Sequence, residues 1–136
     1  MAVDHAALRK VRFLEPLSDR EIRKLAGSMT ERTAAAGNEV VEQKEQALAF
    51  FAILDGTAIV SVDGREVRRL QAGDHFGEIG LIVPSARRTA TVRAATDVRL
   101  GAMSSWNFKA FVAEHPEVTW PLLVTLATRV AGESGE

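Results

Sequence analysis

The residues able to do chemistry crowd into FGEIGLIVPSARRTATV, residues 76 to 92. Glu78 directly follows a glycine, and Arg87 and Arg88 stand side by side before alternating Thr, Ala and Val. Gly77 permits close backbone approach, and EIGL can wind into one short turn whose amides point outward. Such amides attract phosphate through unsatisfied N–H groups and the local dipole. A facing arginine would clamp the same anion bidentately. Glu78 can accept from a hydroxyl, such as that of a ribose. An arginine pair alone is more often a pair of solvated loop charges, so the whole spacing carries the reading.

Other chemistries fit less well. GDHFGE brings Asp74, His75 and Glu78 together, but metal-dependent jelly rolls supply a His-x-His pair with a following Glu. Here Phe76 and Gly77 follow His75, so we read it as a polar loop histidine and expect no metal. Ser85 lacks a Gly-x-Ser-x-Gly elbow and an assignable His/Asp partner. Gly73, Gly77 and Gly80 mimic a nucleotide loop, yet Gly-Lys-Ser/Thr and a parallel βαβ pattern are missing. With no cysteine there is neither a disulfide nor a thiolate.

Composition narrows the class further. The 136 residues suit a single domain, 1–136, with 46% hydrophobic and 26% charged residues. A net charge of -1 argues against binding nucleic acid. No apolar run approaches a membrane span, and the N-terminus lacks a signal-peptide core. A cytoplasmic location is the expectation.

The elements that must position these residues can be placed along the chain. A short helix is expected over 5–11, broken by Pro16. Ser18-x-x-Glu21 is a capping box for a helix carrying Ile22, Leu25 and Met29 on one face. Short β runs follow at roughly 30–35, 39–41, 49–55, 57–62, 65–71, 88–95 and 98–103. Between them, VDGR over Val62–Arg65 is the clearest two-residue hairpin turn. A helix from Ser104 carries Trp106, Phe108, Phe111 and Val112 and stops before Pro116. A last helix carries Val118, Trp120, Leu122, Leu123, Leu126 and Val130, and GESGE frays. Many short, evenly spaced strands with Gly-rich corners predict a mainly β fold, a double-stranded β-helix (jelly roll) with flanking helices.

FGEIGLI…RRTATVRAATDVRL resembles the phosphate-binding cassette of cyclic nucleotide-binding domains. That family runs approximately Phe-Gly-Glu-Leu-Ala-Leu, a short loop, then Arg, two small residues, Thr and Val. FLEPLSDREIRKLA is similar to the family's N-terminal helical segment, FFAILDGTAIVSVDGREVRRLQAGDHFGE to its central strands, and WNFKAFVAEHPEV to its first C-terminal helix and hinge. The resemblance implies a non-enzymatic module binding cAMP or cGMP, with no other cofactor. Glu78 would accept from the ribose 2′-hydroxyl. The backbone of Gly77, Glu78, Ile79 and Gly80, between Phe76 and Leu81, would line sugar and phosphate. An arginine would pair with the cyclic phosphate, and Thr89 and Ala90 would complete the phosphate and base contacts.

Counting from Glu78 selects Arg87, whereas matching RTATV selects Arg88. Strand parity puts Arg88, Ala90 and Val92 on one inward face and favours Arg88. Lys44, where many members have Gly, and Ala86, where they often have Pro, depart from the pattern. Thr89 leaves the base open, with cAMP favoured. The last helix either packs on the core or, pivoting at His115-Pro116, closes over the base through Leu123, Leu126 and Val130. The expectation is a stand-alone bacterial-type sensor, monomer or homodimer, signalling to an unidentified protein effector. The rivals are a degenerate copy used as a protein-interaction domain and a regulatory fragment of a larger channel or regulator.

Overall fold

Ser18 opens the first long helix with both halves of its capping box. Its hydroxyl accepts from the Glu21 amide at 3.2 Å, and the Glu21 carboxylate accepts from the Ser18 amide at 2.8 Å. The computed structural model describes residues 3–41, 49–78, 82 and 90–133. This helix, α2, spans Asp19–Ser28; a single turn, α1, precedes it over His5–Leu8. The helix expected over 5–11 is therefore cut short, and a 3₁₀ turn follows at Arg12–Leu14. The reason is packing. Leu8, Val11, Phe13, Leu14 and Leu17 are all buried, and no single helical stripe holds all five. The chain coils to bury them, and Arg9 Nη1 secures the coil by donating to the Leu17 carbonyl at 2.6 Å.

Among the described residues eight strands follow: β1 (Thr30–Ala34), β2 (Glu39–Val41), β3 (Ala49–Asp55), β4 (Ala58–Val62), β5 (Arg65–Leu70), β6 (His75–Phe76), β7 (Thr91–Ala94) and β8 (Val98–Ser104). They form two four-stranded sheets, β1-β8-β3-β6 and β2-β7-β4-β5, and every pairing is antiparallel. This is the jelly-roll arrangement. The VDGR turn joins β4 to β5 with Val62 opposite Arg65 and positive φ at Asp63 (52°) and Gly64 (79°). Expected strand ends shift by at most one residue, with one exception. The strand expected over 88–95 contributes only Thr91–Ala94; Ala90 lies in a bend, and Arg88 and Thr89 fall outside the described residues.

β3 holds the two cores together. Phe50, Ala52 and Leu54 face the helices, while Phe51 and Ile53 face the space between the sheets. Burial on both sides explains the near-continuous apolar run AFFAIL, since either face turned to water would forfeit its hydrophobic gain. Phe50 stacks on Phe108 at 4.5 Å between ring centres, fixing α3 (Ser105–Glu114) against this sheet. Phe108, Phe111 and Val112 share the inward face of α3. Trp106 does not; it is 76% exposed, because two residues of helix turn it about 200° away from Phe108.

Pro116 ends α3 and begins a 3₁₀ turn over Pro116–Val118, from which α4 runs over Thr119–Glu133. At this joint His115 Nδ1 lies 3.3 Å from Glu21 Oε2 and 3.7 Å from Glu117 Oε2, tying it to the first turn of α2. The inward face of α4 differs from expectation. Steps of four residues advance about 40° beyond whole turns, so Val118, Leu122, Leu126 and Val130 drift about 120° in three steps. Val118 and Leu122 are buried and Leu126 is half-buried, whereas Val130 is 65% exposed. Eleven residues make nearly three whole turns, so Arg129 carries the stripe that begins at Val118. Among the described residues no helix is long and apolar enough to cross a membrane.

Candidate ligand site around Glu78

β6 is only two residues long, too short to show a period in the sequence, yet it positions the site. His75 pairs with Ala52 and Phe76 with Phe51 across β3, so their side chains leave on opposite faces. Phe76 stacks on Phe51 at 5.0 Å in the core between the sheets. His75 enters the helical side, edge-on to Phe13 at 4.9 Å and tilted on Phe50 at 5.6 Å. It is a buried strand residue, not the polar loop histidine expected from the sequence; the β3 ladder pulls it inward.

Gly77 then turns the chain at φ +96°, a region where a side chain would be strained. The turn drives Glu78 inward until it is 1% exposed. The expected short helical turn leaves one described hydrogen bond, from the Ile82 amide to the Glu78 carbonyl at 3.0 Å.

A buried carboxylate needs partners, and among the described residues two side chains meet this one. Its Oε2 lies 3.2 Å from His75 Nδ1, and its Oε1 accepts from Arg129 Nη1. A second nitrogen of the same guanidinium, Nη2, donates to the His75 carbonyl. One arginine of α4 therefore clasps both the side chain and the backbone of the β6 turn. Burial raises the Glu78 carboxyl, but the His75 hydrogen bond and the charges of His75 and Arg129 outweigh it. The net direction is down, so Glu78 is ionised and Nδ1 is the donor. Nε2 of His75 is buried with no hydrogen-bond partner among the described residues.

Two clefts lie along α4, and Arg129 lines the first. One, of about 480 Å³, is lined by Arg12, Arg68, Asp74, Thr125, Thr128 and Arg129 among others. Burial, with Arg129 close by, pulls the Arg68 guanidinium below its usual range. The other, about 490 Å³, is mostly apolar and includes Ile82, Phe108, Val112, Leu122, Leu123 and Leu126. Leu123 and Leu126 thus sit beside the end of the cassette turn, and Val130 lies outside that groove.

Of the expected site residues, Phe76, Gly77 and Glu78 come together at the β6 turn. Ala90 is half-buried against the core between the sheets, where Val92 and Ala94 continue the inward face and Arg93 points out. Ile79, Gly80, Leu81, Arg87, Arg88 and Thr89 fall outside the described residues, as do Lys44 and Ala86. Sequence reasoning missed Arg129 altogether and gave His75 no role. The signals were a histidine three residues before the buried acid and an arginine eleven residues after Val118. Neither means anything until β6 and α4 are placed.

Comparisons with known proteins bear on the family and the fold. The family described as cyclic nucleotide-binding domain matches residues 31–115. The cGMP-dependent protein kinase egl-4 of Caenorhabditis briggsae is 34% identical over 103 residues, covering 76% of this chain and 14% of that protein. The cAMP-dependent protein kinase regulatory subunit of Debaryomyces hansenii is 34% identical over 102 residues, covering 74% of this chain and 22% of that protein. This chain therefore spans a minor part of the relatives it matches. Among solved structures, cAMP-bound PfPKA-R superposes with a TM-score of 0.86 at 22% identity, covering 96% of this chain and 45% of that one. That likeness establishes the fold.

Proposed function

The chain belongs to the cyclic nucleotide-binding domain family, and we propose that it is a non-enzymatic sensor module for a cyclic nucleotide, with cAMP favoured. The observation that carries this reading is Glu78, an ionised carboxylate buried behind the obligatory glycine turn of FGEIGLI. In this reading Glu78 accepts from the ribose 2′-hydroxyl, and the backbone from Gly77 to Gly80 lines the sugar and phosphate. Arg88 pairs with the cyclic phosphate, and Thr89 and Ala90 complete its contacts. No bond is made or broken: the site holds both ends of one sugar-phosphate, and the output is a change in how α4 sits.

The helix α4 is the moving part of this proposal. Its Leu123 and Leu126 lie in the apolar groove beside Ile82, where they can close over a purine. Closure of about 100 Å² would be worth about 2.5 kcal/mol. That gain exists only with ligand, so it shifts an open–closed population. We assign the whole chain to one domain in a cytoplasmic setting, with a protein effector downstream. The exposed Trp120, Leu123 and Val124 of α4 give such an effector an apolar surface to read.

Calorimetric titration of cAMP and cGMP into the full chain tests the reading. Saturable heat with either nucleotide is expected, and competition in which cGMP binds more than about tenfold tighter would reverse the base assignment. One observation favours the rival interaction-domain reading: Arg129 occupies the Glu78 carboxylate. No heat and no melting-temperature shift with either nucleotide at millimolar concentration would favour that rival.

A further inference from the structure

Asp74, His75 and Glu78 lack a metal pattern in the sequence, but the fold assembles a second set of ligating side chains at the joint between α3 and α4. Glu21, in the first turn of α2, meets His115 and Glu117 there, the two residues that flank Pro116. One ligand atom from each lies within 4.8 Å of the other two. Nδ1 of His115 is 3.3 Å from Oε2 of Glu21 and 3.7 Å from Oε2 of Glu117. A tetrahedral metal with bonds of about 2.1 Å holds its ligand atoms about 3.4 Å apart. Two of the three edges of such a site are therefore already close to length. The third, Glu21 to Glu117, closes by a small turn of the Glu117 side chain, which is 44% exposed.

We propose that Glu21, His115 and Glu117 form a binding site for a zinc-class divalent metal ion, which would tie the α3–α4 joint to α2. The donor set selects the ion. One imidazole nitrogen with two carboxylate oxygens suits zinc and its neighbours, whereas magnesium and calcium prefer oxygen alone. Three protein ligands leave the fourth position to water. Two of the ligands are held in place by the chain itself. Glu21 is fixed by the capping box, since Oε1 accepts from the Ser18 amide while Oε2 is turned to His115. The hydrogen bonds with Ser18 keep the Glu21 carboxyl below its ordinary value, and the charge of His115 adds to them, so the ligand is ionised at neutral pH. His115 is anchored by its amide, which donates to the Phe111 carbonyl at 2.9 Å, and by its ring, 5.2 Å from that of Phe111 between centres. Its carbonyl accepts from the Val118 amide at 3.1 Å, closing the turn that carries Glu117. Nδ1 can hold either a proton facing the carboxylates or the metal, so the ion takes the proton's place. Solvent reaches the cluster from a cleft of about 220 Å³, lined by Glu21, Lys24, Glu114 and His115 among others.

The test uses the full chain without a histidine tag. Zn²⁺ is titrated by calorimetry and Co²⁺ by visible absorption, with Mg²⁺ as competitor. The expected result is saturation at one ion per chain, Co²⁺ bands of four-coordinate intensity, and no displacement by Mg²⁺. His115→Ala, Glu117→Gln and Glu21→Gln should each weaken Zn²⁺ binding at least about tenfold, since even outer-shell changes cost that much. Glu21→Gln spares the fold, because glutamine keeps the capping box. Glu114→Gln and His5→Ala, which remove the other acid of the cleft and an exposed histidine elsewhere, should leave the affinity unchanged. Zn²⁺ should also slow amide exchange over residues 115–119 in the wild type. Zn²⁺ affinity unchanged in His115→Ala and Glu117→Gln would overturn the site. So would binding of several ions without saturation, full displacement by Mg²⁺, or a loss with Glu114→Gln as large as with Glu117→Gln. Each of those results would reduce the cluster to ion pairs at the joint.

Discussion

At Glu78 the electrostatics fix the sign of a pH dependence. Its folded carboxyl lies below the ordinary range, so the stability it contributes is present above the unfolded value and lost as pH falls through the folded one. Urea midpoints measured from pH 6 downward should drop through the carboxylate range, and Glu78→Gln should flatten that fall. An identical pH profile in the variant would mean that the pair with Arg129 contributes nothing. A second residue-scale prediction concerns the paired arginines. A charge-assisted bond to phosphate is worth about 1.5–3 kcal/mol. Arg88→Leu should therefore weaken cAMP binding at least about tenfold, and Arg87→Leu should do much less. Reversal of the two effects would shift the phosphate register by one residue. Glu78 was legible because glycine, acid and arginines keep a recognisable spacing. Arg129 was not, because its partner lies 51 residues away in the chain and only the rotation of α4 brings them together.

Among the elements, α2 offers the cleanest test of local sequence logic. Ser18→Ala removes one half of a capping box whose two bonds are both made, and should cost about 1 kcal/mol in chemical denaturation. A loss below a few tenths would mean the helix is held by packing alone. Strands bounded by Gly-containing turns could be read directly, as VDGR shows, because positive φ at Asp63 and Gly64 dictates the hairpin. β6 could not, since its ladder to β3 is a tertiary fact. The first helix was over-read for a related reason: burying Val11, Phe13 and Leu17 overrode helical period. For α4, the proposed lid predicts that saturating cAMP slows amide exchange over residues 118–130. Deleting everything after Glu117 should weaken binding while leaving the β core folded. Equal exchange with and without nucleotide would leave α4 as packing.

The whole molecule is two antiparallel sheets with one apolar core between them and another under the helices, joined through β3. The ligand site proposed here sits where those cores meet: Phe76 belongs to one, His75 reaches the aromatics of the other, and Glu78 follows at the turn. Arg129 of α4 meets Glu78 and the His75 carbonyl at that same turn. The most direct test of a cyclic-nucleotide site is thermal denaturation of the full chain with cAMP, cGMP and linear 5′-AMP. At 100 times its dissociation constant a ligand stabilises by about 2.7 kcal/mol. A cyclic nucleotide is predicted to give that stabilisation, with 5′-AMP giving little at the same concentration. Equal shifts with 5′-AMP, or none with either cyclic nucleotide at millimolar concentration, would contradict the account.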